Sequence, residues 1–263
     1  MQIIYLIFNE GHAATRGPRL TRTDLADEAI RLARQLHGHL PQQPEAAGLL
    51  ALLLLTAARR RARSAVGTPL VPLDEQDRSQ WNQDMIVEGL TLLTGAISHH
   101  AMGDYQLQAA IAAVHDQAPS YDTTDWTVLR ALYNLLVQGS DNPFARLNRA
   151  VVIAHTDGPD VALHDVQALH RRLADHHRFH ATIGYIHHLA GRHDDARLAM
   201  RRRPAWPPTN SSAGTWLERR PSVRARRSRA MPPAVPRTDL RGGCTRRSKG
   251  RCVGFTEGSR TGR

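Results

Sequence analysis

The sequence predicts an all-α protein of stacked helical hairpins, followed by a disordered basic C-terminal tail. Three observations carry that expectation. Apolar residues recur at helical spacing through the first 200 residues. No alternating apolar run bounded by hairpin turns occurs, so strand signals are close to absent. After Met200 the periodicity stops, and residues 201–263 carry seven Pro, seven Gly and runs such as Arg201, Arg202 and Arg203.

Charge follows the same division. The 263 residues carry a net charge of +11, which by itself points to nucleic acid. Residues 201–263, however, hold 17 of the 35 Lys+Arg and 3 of the 24 Asp+Glu, a net of +14. Residues 1–200 hold the other 18 and 21, a net of −3. The basicity belongs to the tail, so direct DNA binding is not expected of the body. Both cysteines, Cys244 and Cys252, also lie in the tail. The body therefore has no disulfide framework and no thiolate metal site, which suits a reducing cytoplasm. The opening 1–8 is apolar but lacks a basic flank and a small-residue cleavage site. The most apolar run, 48–58, is 11 residues long, against the ~20 that span a bilayer. No membrane segment is expected.

The elements follow in order. Residues 23–40 open with Thr23 and Asp24 in capping positions and place Leu25, Ala29, Leu32 and Leu36 on one face. Pro41 and Pro44 stop that helix and open the next, over 45–63, whose end carries Arg59, Arg60, Arg61 and Arg63. Cations there suit the helix dipole; the alternative is a docking patch for an acidic partner. Residues 64–76 break the pattern as a turn and a short extended segment. A helix restarts near Ser79, with Trp81, Met85, Leu92 and Leu93 on its apolar side. Amphipathic helices at 105–118 and 125–138 follow, with Trp126 and Tyr133 a heptad apart in the core.

From Asn142 the sequence repeats. A shift of 34 aligns Leu147 with Ala181, Ala150 with Gly184, Ala154 with His188 and Ala162 with Ala196, and Gly158 and Gly191 are 33 apart. Small residues allow two helices to approach, and a Gly turns the corner between them. This is a degenerate tetratricopeptide-like pattern. Two units fall short of the three usually needed for stability, so the earlier helices are expected to stack on them. The resulting organisation is a junction segment at 1–22, a helical domain at 23–140, tetratricopeptide-like repeats at 141–200 and a tail at 201–263. Thr215 to Arg220 is a fragment of helical grammar inside that tail. The abrupt switch at 201 matches a reading-frame error, set against a genuine basic tail.

Chemistry-bearing motifs are few. Among 15 histidines, His176 and His180 form an i,i+4 pair near His177, His187, His188 and His193. A zinc site needs further ligands at matching spacing, and HExxH is absent, so solvated histidines are the expected reading. Neither Gly-x-Ser-x-Gly nor a phosphate-binding glycine loop occurs. The expectation is a non-enzyme without cofactor. Two polar stretches remain. Asp74, Glu75, Asp77 and Arg78 lead into Trp81; there Asp77 or Ser79 caps a helix, Arg78 pairs with a carboxylate and Trp81 anchors a corner, or the group contacts a partner. Asn9 and Glu10 precede Gly11, which is expected to stop a helix at positive φ.

Several ordered segments together resemble one family. Tyr5 to Gly11 looks like the segment that follows the promoter-reading domains in a group of extracytoplasmic-function (sigma-70 family) RNA polymerase sigma factors. That group carries a long tetratricopeptide-like C-terminal extension. Similar segments follow in the same order at 28–34, 48–52, 73–81 and 105–113, then at Asp125 and Trp126, Leu132 and Tyr133, and 147–151. His12 stands where the family has Tyr, and Thr56 and Ala57 precede Arg59 where a His-Asp pair is common.

The resemblance covers about residues 1–200 and implies the extension only. The promoter-reading domains would lie before Tyr5, and no recognition helix stands in the acidic body. A truncated or split coding sequence is the expectation, with the last helices of the extension lost after Met200. The implied role is regulation of transcription initiation, by packing on RNA polymerase or on the sigma domains of the full-length protein. Asn9, Glu10, Asp74, Glu75, Asp77 and Arg78 are the contact candidates. A free-standing tetratricopeptide-like adaptor is the alternative.

Overall fold

The computed structural model describes residues 1–12, 22–63, 71–97 and 102–201. Every regular element among them is helical: α1 (Gln2–His12), α2 (Thr23–His39), α3 (Pro44–Ala58), α4 (Arg60–Arg63), α5 (Gln83–Ile97), α6 (Asp104–Gln117), α7 (Trp126–Gly139), α8 (Pro143–Thr156), α9 (Pro159–Gln167), α10 (His170–Leu173), α11 (His177–Leu189) and α12 (His193–Arg201). Single 3₁₀ turns, Leu73–Glu75 and Arg78–Gln80, lie between α4 and α5. The chain divides into two units, Met1–Arg220 and Pro221–Arg263. The second, with the tail expected to be disordered or frame-shifted and both cysteines, lies outside the described residues, as does 64–70 of the turn and extended segment expected at 64–76; in the described part of that segment Leu73–Glu75 is a 3₁₀ turn.

Helix α3 is the hub of the N-terminal half. It packs against α2, α5 and α6, so all sides of it need apolar residues. Leu49, Leu53, Leu54 and Leu55 are fully buried. Its apolar run is thus a core helix, and no helix among the described residues is long and apolar enough to cross a membrane. Helix α2 turns Ala26, Ala29, Ile30 and Ala33 inward, a stripe one step round from the predicted Leu25, Leu32 and Leu36. Its expected side-chain cap is absent: the N-cap is Arg22, and Thr23 is already helical. Capping instead falls to Asn82 on Met85 N (3.0 Å), Asp125 on Val128 N (2.9 Å) and Asn142 on Phe144 N (2.9 Å).

Gly11 also differs from expectation. It lies inside α1 and is buried; the positive-φ glycines among the described residues are Gly158 (101°) and Gly191 (73°). A Cβ on Gly11 would stand 2.4 Å from Ala26 N, so its role is close approach of α1 to α2 rather than a helix stop.

The repeat is present at its predicted period. Helices α8 and α11 begin at Pro143 and His177, and α9 and α12 at Pro159 and His193, each pair 34 residues apart. Gly158 and Gly191 turn the two hairpins in the left-handed region. Ala150, Ala162 and Ala196 are fully buried at the seams, and a Cβ on Gly184 would meet Met200 Cε at 2.9 Å. Earlier helices stack on these units. One core joins Leu107 and Ile111 of α6 and Leu129 and Leu136 of α7 to Ala145 and Val152 of α8.

Candidate interaction surface

The corner that sequence reading singled out sits between α4 and α5. Asp77 is the N-cap of the second 3₁₀ turn and accepts from Ser79 N (3.0 Å), Ser79 Oγ (2.7 Å) and Gln80 Nε2 (3.1 Å). Those bonds hold its carboxyl below the ordinary carboxylate range. The α-helix begins later than expected, at Gln83 rather than near Ser79. Asp74 is half-buried, while Glu75 and Asp77 are exposed. On α1, Asn9 is exposed and Glu10 half-buried. The two groups therefore lie on separate elements.

Arg78 departs from its expected pairing with a neighbouring carboxylate. Its Nη1 donates to His115 O (2.5 Å) and Ala118 O (2.8 Å). It thereby satisfies carbonyls left open at the C-terminus of α6. Its guanidinium lies over the Trp81 ring at 4.4 Å, and Trp81 is 4% exposed. The other end of α6 is held from a distance too. Glu45 of α3 accepts from Tyr105 N (3.1 Å) and Gln106 N (3.0 Å). The fully buried Gln106 donates to Ala96 O (2.9 Å) and accepts from Gly103 N (3.0 Å).

Three of the four arginines that follow α3, Arg59, Arg60 and Arg63, are drawn inward, while Arg61 is exposed. Arg59 Nε lies 3.2 Å from Asp116 Oδ1, and the Asp116 side chain is 0% exposed. The pair is close enough to attract but is not aligned as a hydrogen bond, and both Asp116 oxygens lack a donor. Burial accordingly pushes Asp116 up to about 6, although Arg59 and Arg78 pull it down. Arg60 pairs with Asp27 at 2.8 Å, and Arg63 Nη1 donates to His12 O at 2.7 Å. Helix-dipole charge is therefore an incomplete account of this cluster, because three of its members bind other elements.

Beside it, Trp126 stacks on His155 with centroids 3.7 Å apart. Tyr185 Oη lies 2.9 Å from Tyr121 Oη and 3.0 Å from His155 Nε2. This clasp joins the α6–α7 loop to α8 and α11. Burial lowers His155 to about 4, and burial followed by Arg59 and Arg78 lowers His115 to about 3. The C-terminal histidines serve locally: His176 caps α11 through Arg178 N (3.2 Å), and His180 Nε2 is 2.6 Å from Ala174 O. Among the described residues no three His, Cys, Asp or Glu side chains form a metal-holding group. Sequence reading missed Glu45, Asp116, Tyr121 and Tyr185, because their partners lie 30 to 64 residues away and no local spacing announces them.

Comparison with known proteins places the corner within a recognised stretch. Residues 1–97 match the model of DUF6596, a family of unknown function. That match takes in α1 to α5 and the 3₁₀ corner. Over 215 residues, 82% of this chain, the sequence is 41% identical to an uncharacterized protein of Rhizobium meliloti (strain 1021). The chain spans about half, 51%, of that relative's length. No solved structure matches.

Proposed function

We propose that this chain is a C-terminal regulatory and interaction extension of an extracytoplasmic-function RNA polymerase sigma factor, working by protein contact and not by reading promoter DNA. One observation carries the reading. The segments at Tyr5 to Gly11 and Asp74 to Trp81, which resemble that group of sigma factors, both fall in the stretch matching DUF6596, a family found in sigma-factor-like proteins. The stacked helical hairpins suit the role, since such stacks offer an extended surface to a protein partner. Asn9, Glu75 and Asp77 are exposed, while Arg78 positions the corner through α6.

The test is promoter-dependent transcription with core polymerase. The chain alone is expected to give no transcript. Added to the promoter-reading domains of a sigma factor of this group, it is expected to co-elute with them or with the polymerase and to change transcript yield. Specific initiation directed by this chain alone would overturn the reading, as would a yield unaffected by a saturating excess of the chain.

A further inference from the structure

The two hairpins of the repeat are capped at the same place by chemically different side chains. At the start of α8, Asn142 Oδ1 accepts from Phe144 N at 2.9 Å. At the start of α11, 34 residues later, His176 Nδ1 accepts from Arg178 N at 3.2 Å. Each is the N-cap of its helix, with extended backbone (φ −77° and ψ 113° at Asn142, φ −98° and ψ 124° at His176). The repeat thus keeps the bond and changes the acceptor.

The change matters because an amide oxygen accepts at any pH, whereas an imidazole nitrogen accepts only while it carries no proton. In the imidazolium both ring nitrogens are donors. Protonation of His176 therefore sets Nδ1–H against the Arg178 N–H and removes the cap. It also places a positive charge at a helix N-terminus, where the dipole disfavours one. The surroundings favour the neutral ring. Within α11, the His177 ring centroid lies 4.4 Å away and Arg178 adds a guanidinium. From α8 comes the uncharged Phe144 ring at 4.8 Å, while Arg146 of α8 and Arg172 of α10 lie beside Asp141. Asp175, next in the chain, is exposed. Burial, and then the Arg178 charge, lower His176 from its ordinary 6.5. The cap therefore contributes fully above pH 6.5 and is lost as pH falls through the lower folded value.

The turn that His176 caps anchors the second hairpin. Phe179, beside the capped amide, is 2% exposed and shares a core with Leu147 and Ile153 of α8. We infer that His176 is a proton-sensitive latch: neutral, it caps α11 and holds the second hairpin on the first; protonated, it releases the start of α11 while the first hairpin, capped by Asn142, is unaffected. The latch is a property of the repeat and does not rest on the sigma-factor reading.

The full-length chain, isotope-labelled, is followed by NMR from above to below the imidazole range. Neutral His176 is expected as the Nε2–H tautomer. On acidification, the protection factor of the Arg178 amide should fall about fivefold, the weight of one N-cap, and that of the Phe144 amide should hold. His176→Asn should make the Arg178 amide as insensitive to pH as that of Phe144. His176→Ala should lose the protection at both ends of the range. A neutral His176 ring that carries its proton on Nδ1 overturns the latch. So does an acid loss at Arg178 that persists in His176→Asn, an equal loss at Arg178 and Phe144, or full protection in His176→Ala.

Discussion

At the residue scale, Arg78 and Asp116 show how buried polar groups organise the corner. Arg78 makes two charge-assisted bonds to the end of α6 and covers Trp81. Arg78→Ala is expected to lower stability by about 2–3 kcal/mol in urea unfolding, whereas Glu75→Ala at an exposed site should change it by less than about 0.5 kcal/mol. Asp116 has a folded value of about 6, raised from 3.8 by burial. Its contribution is therefore fully present below 3.8 and is lost as pH rises through 6. Compared with Asp116→Asn, the wild-type chain should lose on the order of 3 kcal/mol between pH 4 and pH 7. A difference that stays flat over that window would show that Arg59 and Arg78 fully compensate the buried charge. His12 and His115 act with the opposite sign. Their folded values of about 3 lie below 6.5, so their contribution is present above pH 6.5 and lost as pH falls towards 3.

Between helices, small residues decide how closely elements approach. A Cβ on Gly11 would reach backbone atoms of Ala26 at 2.4 and 2.9 Å, which neither helix can yield without moving. Gly11→Ala should cost about 1–3 kcal/mol by overpacking α1 against α2. Gly38, in the last turn of α2, has nothing within 4 Å of its would-be Cβ. Gly38→Ala should raise stability by about 0.5–1 kcal/mol through helix propensity. Paired melting curves of the two variants test both, and shifts in the same direction would contradict the helix contacts. The turning glycines form a third case. At Gly158 and Gly191 there is open space, yet φ is positive, so alanine there is strained by roughly 1–2 kcal/mol despite the room.

On the scale of the whole molecule, continuity of the core decides what can stand alone. The cluster of Leu107, Ile111, Leu129 and Leu136 is completed by Ala145 and Val152 across the junction at 140. A chain ended at residue 140 would leave Leu129 and Leu136, now 0% and 6% exposed, open to water, at about 1.5–3 kcal/mol each. It is expected to melt below the full chain in circular dichroism and to bind a hydrophobic dye; an unchanged midpoint would show that 1–140 folds independently. Three long-range polar ties add to this continuity: Glu45 to α6, Arg63 to α1, and the Tyr121, His155 and Tyr185 clasp.

Much of this was legible in the sequence. The helix-period pattern placed α2, α6 and α7 to within a residue or so at each end, and the 34-residue shift located two hairpins and their turning glycines. Such features depend on short-range spacing, backbone conformation and the need of each helix to bury one face, all written locally. The tertiary structure alone decided that Gly11 is a contact and not a stop, that Arg78 caps α6, and that Arg59 meets Asp116. Each of these rests on which remote backbone carbonyl, charge or Cβ position comes within a few ångströms, and that distance exists only once the helices have packed.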